Sequence, residues 1–367
     1  MHSPYDCCVA SLSNLPIRDD LKGLVPYGAP QEVVPVALNV NENTHGIPEA
    51  VARDIIEALA HSIVGINRYP DREFTALREG LAGYLGHALT AENIWAANGS
   101  NEVLQQILQA FGGPGRTVLG FPPTYSMHSI LAAGTGTEWI AGGRDANYEM
   151  SAETVTRWIT ETDPDVVFLC SPNNPTGTPL AIEVIEAAYA ATRGIVVVDE
   201  AYAEFAPDEI PSAITLLPGR ERLIISRTMS KAFAFAGARI GYLAADPVIS
   251  DALRLVRLPY HLSALTQAAG VAALRHAPEM LATVDDIRTQ RDRLVVELRE
   301  MGYSPLRSWA NFVLFGGVAD SRATFEALLA QGILIRDVGI AGHLRVTAGT
   351  ESETTAFLTA MAALTAG

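Results

Sequence analysis

The chain has 367 residues, 49% of them hydrophobic, and a formal net charge of −15. That length suits one large domain with a smaller one, and the acidic balance excludes a protein built to grip nucleic-acid backbones, which needs a basic surface. No apolar run approaches the ~20 residues of a membrane span, and Cys7, Cys8 and Cys170 form neither a disulfide framework nor a paired metal-ligand spacing, which points to a reducing compartment.

The first eight residues show no basic segment followed by an apolar one, so no signal peptide is expected. Residues 1–40 carry several prolines and no sustained period, and read as an arm lying over something larger, with a turn at Tyr27. Leu38-Asn39-Val40-Asn41-Glu42-Asn43 reads as a short strand entering polar turn residues, and Pro48 then opens a helix. Asn67-Arg68-Tyr69-Pro70-Asp71 interrupts it, because the residue before a proline is pushed out of the α region. A further helix follows over 72–86.

Residues 94–97 predict a strand, Asn98-Gly99-Ser100-Asn101 a tight turn, and Val103, Leu104, Ile107, Leu108 and Phe111 one face of a helix. A glycine turn feeding a helix N-terminus offers unpaired N–H groups that suit a phosphate, although many such turns bind nothing. Strands are then expected at 116–119, 166–170, 195–198 and 223–225, with helices at 125–133 and 181–191. Continuous apolar strands of this kind belong to a largely parallel sheet covered by helices on both faces. Ligands of such sheets bind beyond the carboxyl ends of the strands. Three successive ends deliver Ser171-Pro172-Asn173-Asn174-Pro175-Thr176-Gly177, Asp199-Glu200-Ala201-Tyr202, and the stretch from Ser226 to Lys231. An amide, an acid with a phenol, and a lysine thus meet at one rim.

The lysine stands out because Lys22 and Lys231 are the only two among 26 basic residues. A guanidinium stays protonated, whereas a lysine amine can lose its proton in a discouraging environment and condense with an aldehyde. Lys231 therefore reads either as a Schiff-base lysine or as an ordinary loop lysine. Beyond Gly241 the chain is expected to be strongly helical, with one long helix over 278–301, strands at 333–336 and 344–346, and a helix from 352. The histidines show no metal-ligand spacing, so no metal is expected. A dinucleotide-binding dehydrogenase is excluded by the lack of a Gly-x-Gly-x-x-Gly after the first strand of an alternating unit.

Asn-Asn-Pro-Thr-Gly, Asp-Glu-Ala-Tyr and Ser-Lys-Ala-Phe, in this order and at these intervals, resemble the pyridoxal-phosphate enzymes of the aspartate aminotransferase fold. Within that class the chain is similar to the histidinol-phosphate aminotransferases, class II enzymes, from the 39–43 segment to Leu344-Arg345-Val346-Thr347-Ala348-Gly349. The resemblance implies an α/β chain of the type I fold: an N-terminal arm (1–40), a large domain with a mostly parallel sheet (41–275) and a smaller α+β domain (276–367). It implies pyridoxal 5'-phosphate as cofactor. Lys231 would hold it and move protons, Asp199 would keep its ring nitrogen protonated, and Asn174 and Tyr202 would hydrogen-bond its phenolic oxygen. Tyr125 would stack on the ring. Ser100, Asn101, Thr228, Ser230 and Arg239 would take the phosphate, with Tyr69 reaching the phosphate of a neighbouring subunit in a homodimer.

Arg336 and Arg345, helped by Tyr27 and Asn43, are expected at the substrate, where a planar fork binds two oxygens. The implied reaction moves the amino group of L-histidinol phosphate to 2-oxoglutarate in histidine biosynthesis, in the cytoplasm, without nucleic acid or membrane. Relatives with the same cofactor motifs leave two alternatives, an aromatic amino acid (phenylalanine or tyrosine) aminotransferase and a threonine-phosphate decarboxylase. A DNA-binding regulator carrying an aminotransferase-like domain is disfavoured by the acidic balance and by the short segment before the first motif.

Overall fold

The computed structural model describes residues 15–23, 28 and 30–365. Tyr27 lies outside the described residues. A two-residue strand β1 (Val36–Ala37) precedes helices α1 (Glu49–Val64) and α2 (Thr75–Leu85). The central run is β2 (Ile94–Asn98), α3 (Ser100–Phe111), β3 (Thr117–Gly120), α4 (Met127–Thr135), β4 (Glu138–Ala141), α5 (Ala152–Thr162), β5 (Val166–Cys170), α6 (Ile182–Ala191), β6 (Ile195–Asp199), β7 (Leu223–Thr228) and β8 (Ile240–Ala245). Helices α7 (Pro247–Arg254), α8 (Ala264–Arg275), α9 (Ala277–Leu281) and α10 (Val284–Glu300) follow. The chain ends with β9 (Ser304–Pro305), β10 (Phe312–Gly316), α11 (Ser321–Ala330), β11 (Ile333–Leu334), β12 (Leu344–Thr347) and α12 (Glu351–Thr365).

Seven strands form one sheet in the order β2-β8-β7-β6-β5-β3-β4, in which only β8 runs against its neighbours. Every residue of β5, β6, β7 and β8 is buried, so both faces of the sheet centre are covered. The Val-Val-Phe-Leu-Cys and Ile-Val-Val-Val-Asp strands pair in parallel register, which sets Cys170 beside Asp199 at their carboxyl ends. Elsewhere β12-β10-β9 form a small antiparallel sheet, and β1 pairs with β11. The buried side chains gather into two clusters, one around the large sheet and one around β10, β12, α10 and α12 that also takes in Leu38, Tyr202 and Phe205.

The elements differ from the sequence reading where apolar runs have no clear period. Ile240–Ala245 is a strand, although helix was expected beyond Gly241. Its register against β2 and β7 explains this, since a run of Ile-Gly-Tyr-Leu-Ala-Ala buried on both faces needs no alternation. Strands β4 and β10 and helix α5 were not anticipated either. The expected long helix is two, α9 and α10, separated at residues 282–283.

Candidate active site

The three strand ends meet at a cavity of about 340 Å³, within the range of small-ligand pockets. The helix N-terminus at Ser100 and Asn101 borders it, along with Tyr125, Asn174, Asp199, Tyr202, Thr228, Ser230, Lys231, Arg239, Arg336 and Arg345. Residues expected at the site from remote parts of the chain are thus brought together. Among its charged lining groups, Lys231, Arg239, Arg336 and Arg345 outnumber Asp199 and Asp337, giving a cationic pocket in an acidic chain.

Helix α3 is preceded by Gly99, whose φ of 85° lies in the left-handed region open to glycine. A side chain there would collide with the Arg239 guanidinium, and one at Gly241 would collide with the backbone at Ser100. The two glycines therefore let β8 and Arg239 close on the first turn of the helix, where its N–H groups lack intrahelical partners. Arg239 Nη1 donates to the Ala236 carbonyl at 3.1 Å and reaches Ser230 Oγ at 3.5 Å. Backbone N–H groups, hydroxyls and a guanidinium converge at this end of the cavity, a donor set for an anion.

Asp199 is buried at the end of β6. His128 Nε2 lies 3.1 Å from its Oδ2, while Oδ1 is buried with no hydrogen-bond partner among the described residues. His128 itself packs against Phe168 and, edge-on, against Tyr125. No spacing in the sequence marks His128; the available signal was its place three residues after Tyr125, whose carbonyl accepts from the His128 N–H. The segment following Asp199 is held by a buried ion cluster: Arg227 pairs with Glu200 at 2.8 Å and with Glu204 at 2.9 Å. Arg288 on α10 donates to the Glu204 carbonyl at 3.0 Å, which ties that segment to the second cluster.

Lys231 Nζ donates to the Val40 carbonyl at 2.9 Å. Burial, together with the Arg345 and Arg239 charges, lowers its pKa to about 8, against an opposing pull from Glu42. A neutral, nucleophilic amine is thereby accessible near neutrality. Burial raises the Tyr202 phenol, which stays protonated. Its oxygen accepts from Asn41 Nδ2 at 2.9 Å. Arg345 donates to Asn174 Oδ1 at 2.6 Å and to the Asn39 carbonyl at 2.8 Å.

Two expected residues lie elsewhere. Asn43 is not in the cavity lining; its Nδ2 donates to the Ala232 carbonyl and to Thr283 Oγ1, and its Oδ1 accepts from the His45 N–H. In this structure its side chain ties segments together, and Asn39, Val40 and Asn41 of the same stretch line the cavity. Tyr69 is 79% exposed, stacked on Tyr260 with centroids 4.4 Å apart, and away from the cavity of its own chain.

Residues 34–361 match the family model for aminotransferase class I and II. The chain belongs to this family. A histidinol-phosphate aminotransferase of Paenarthrobacter aurescens is 63% identical over 97% of this chain and 96% of its own. One of Thermobifida fusca is 56% identical over 96% of each chain. Among solved structures, the histidinol-phosphate aminotransferase of Sinorhizobium meliloti in complex with pyridoxal-5'-phosphate superposes with a TM-score of 0.87 at 25% identity, covering 97% of this chain and 99% of that one. The aspartate aminotransferase of Thermus thermophilus with maleate gives 0.78 at 26% identity over 90% and 92%.

Proposed function

We propose that this chain moves the amino group of L-histidinol phosphate to 2-oxoglutarate with pyridoxal 5'-phosphate, giving imidazole-acetol phosphate and glutamate in histidine biosynthesis. One observation carries the reaction class: Lys231, with its lowered amine pKa, and Asp199, with an unpartnered buried oxygen, open into the same cavity. The donor set fits the cofactor. An amine suits its aldehyde, a carboxylate suits a protonated ring nitrogen, and the Ser100, Asn101, Thr228, Ser230 and Arg239 cluster suits its phosphate. The substrate follows from the relatives above, which favour it over the aromatic amino acid and decarboxylase alternatives.

When bound, pyridoxal phosphate supplies an aldehyde for amines and an electron-withdrawing ring. Lys231 Nζ would hold it, and once displaced by the incoming amine would take the proton from the amine-bearing carbon; acid–base steps of this kind contribute ~10²- to 10⁴-fold. Asp199, held by His128, would favour a positive charge at the ring nitrogen. Tyr202 and Asn174, both in the cavity lining, would hydrogen-bond the ring oxygen, and Tyr125 would cover the ring. Arg336 and Arg345 bind the phosphate end of the substrate, and the carboxylates of 2-oxoglutarate and glutamate in the return half.

Tyr69 serves the cavity of a second copy in a homodimer. Large exposed apolar side chains near Tyr69 and near its stacking partner Tyr260 in the sequence support this: Val64 is 85% exposed, and Leu255 and Leu258 are 86% and 75% exposed. Residues 41–275 form the large domain and 276–367, joined by β1, the small one, in a cytoplasmic enzyme. No helix among the described residues is long and apolar enough to cross a membrane. The test is product analysis. Glutamate formed from 2-oxoglutarate only when histidinol phosphate is supplied supports the assignment, and release of carbon dioxide without glutamate overturns it.

A further inference from the structure

We propose that Asn41 is a positioning residue that turns the hydroxyl proton of Tyr202 into the cavity, toward the ring oxygen of the bound cofactor. This rests on the pyridoxal phosphate reading above.

The segment before Asn43 touches three functional side chains in succession. The Asn39 carbonyl accepts from Arg345 and the Val40 carbonyl from Lys231, both through the backbone. Asn41 alone uses its side chain, donating from Nδ2 to Tyr202. Its φ of 56° is left-handed, a conformation that asparagine tolerates better than most residues.

The orientation of the Asn41 amide is fixed by Thr347. The Asn41 N–H donates to Thr347 Oγ1 at 3.1 Å, and the Thr347 hydroxyl donates in turn to Asn41 Oδ1 at 3.2 Å. The Asn41 carbonyl accepts from Asn311 Nδ2 at 3.1 Å. With its oxygen facing Thr347, the amide presents its NH₂ to Tyr202. A phenol has a single proton. Since the Tyr202 oxygen accepts from Asn41, that proton remains for a partner on the cavity side, where Tyr202 is part of the lining. The ring cannot swing away easily, because it is buried and packed edge-on against Phe312, centroids 5.1 Å apart.

The chemistry sets the direction of the effect. A phenol donating to the ring oxygen stabilises negative charge there and lowers the proton affinity of the bound chromophore. Weakening the donor raises the pH at which the visible band of the cofactor titrates. The charged groups around this point are Lys231, Asp199, Arg345, Arg239 and Glu42, and all are retained in the variants below.

The test is a double-mutant cycle read by that pH titration in the holoenzyme, with Asn41→Gly, Tyr202→Phe and the double variant. Glycine keeps the left-handed backbone and removes the donor. The midpoint should rise by roughly half a unit in Asn41→Gly, the size of one lost hydrogen bond, and should not move further when Asn41→Gly is added to Tyr202→Phe. Asn41→Asp, which keeps the side-chain shape and replaces the donor by an acceptor, reads the same cycle if the glycine variant folds poorly. Its upward shift should shrink when Tyr202 is absent. A shift equal in both backgrounds, or an unmoved midpoint with the band present, overturns the role of Asn41 and leaves the cofactor reading intact. A parent protein that acquires no visible band with pyridoxal phosphate overturns both.

Discussion

His128 Nε2 lies 3.1 Å from Asp199 Oδ2, with both side chains buried at the end of the central strand β6. The imidazole holds one carboxylate oxygen, and the other has no hydrogen-bond partner among the described residues. Asp199→Asn removes the charge and should lower turnover by about 10²- to 10³-fold, as loss of one preorganised electrostatic partner does. His128→Asn leaves the charge in place and should cost less, roughly tenfold. Steady-state rates of the two variants check the ordering, and a larger loss at His128 than at Asp199 contradicts it.

Lys231 gives a pH dependence. Its pKa is lowered to about 8 from the ordinary 10.5, so the folded amine is neutral above about 8 while an unfolded chain still binds its proton. Capture of pyridoxal phosphate by the cofactor-free protein should therefore accelerate with pH and level off above about 8. The same group makes the cofactor-free fold more stable as pH rises from about 8 to 10.5, because there the unfolded state binds more protons. Stopped-flow capture rates across this window are the check; a midpoint near 10.5 would exclude a perturbed amine.

Arg345 is a fork whose two ends already hold Asn174 and the Asn39 carbonyl. Lysine keeps the charge and loses the fork, so Arg345→Lys should lower kcat/KM by about 10- to 100-fold, the size of one or two charged hydrogen bonds. Arg336, half-buried at the rim, is the matching test of the substrate's phosphate. Arg336→Lys should raise KM for histidinol phosphate and for 2-oxoglutarate, and an unchanged KM for either would contradict its service in both half-reactions.

Arg227 is enclosed by Glu200 and Glu204 with less than a tenth of each side chain exposed. Arg227→Met strands two buried carboxylates and should cost about 3–5 kcal/mol in unfolding free energy. Urea denaturation measures it, and a loss below about 1 kcal/mol would show that the cluster does not hold the Asp199 segment.

Much of this site was legible because its residues sit where apolar runs end. Val-Val-Phe-Leu-Cys, Ile-Val-Val-Val-Asp and Leu-Ile-Ile-Ser each stop at a functional group, and a parallel sheet brings those stops together. The rarity of lysine singled out Lys231. Asn41 and His128 were not legible as partners of Tyr202 and Asp199, since each acts across a distance in sequence of 161 or 71 residues that only the fold closes. Asn43 shows the reverse case. It neighbours the cavity segment in sequence, but its amide is used up between Ala232 and Thr283. Strand β8 escaped because burial on both faces erases the alternation that marks a strand.

The most direct measurement is the visible absorbance of the purified, cofactor-loaded protein during sequential addition of substrates, with the Lys231→Ala variant alongside. The parent's band should bleach on adding histidinol phosphate and return on adding 2-oxoglutarate, while the variant completes no such cycle. A parent band that ignores histidinol phosphate yet bleaches with phenylalanine, or a Lys231→Ala protein that cycles like the parent, would contradict the proposed reaction.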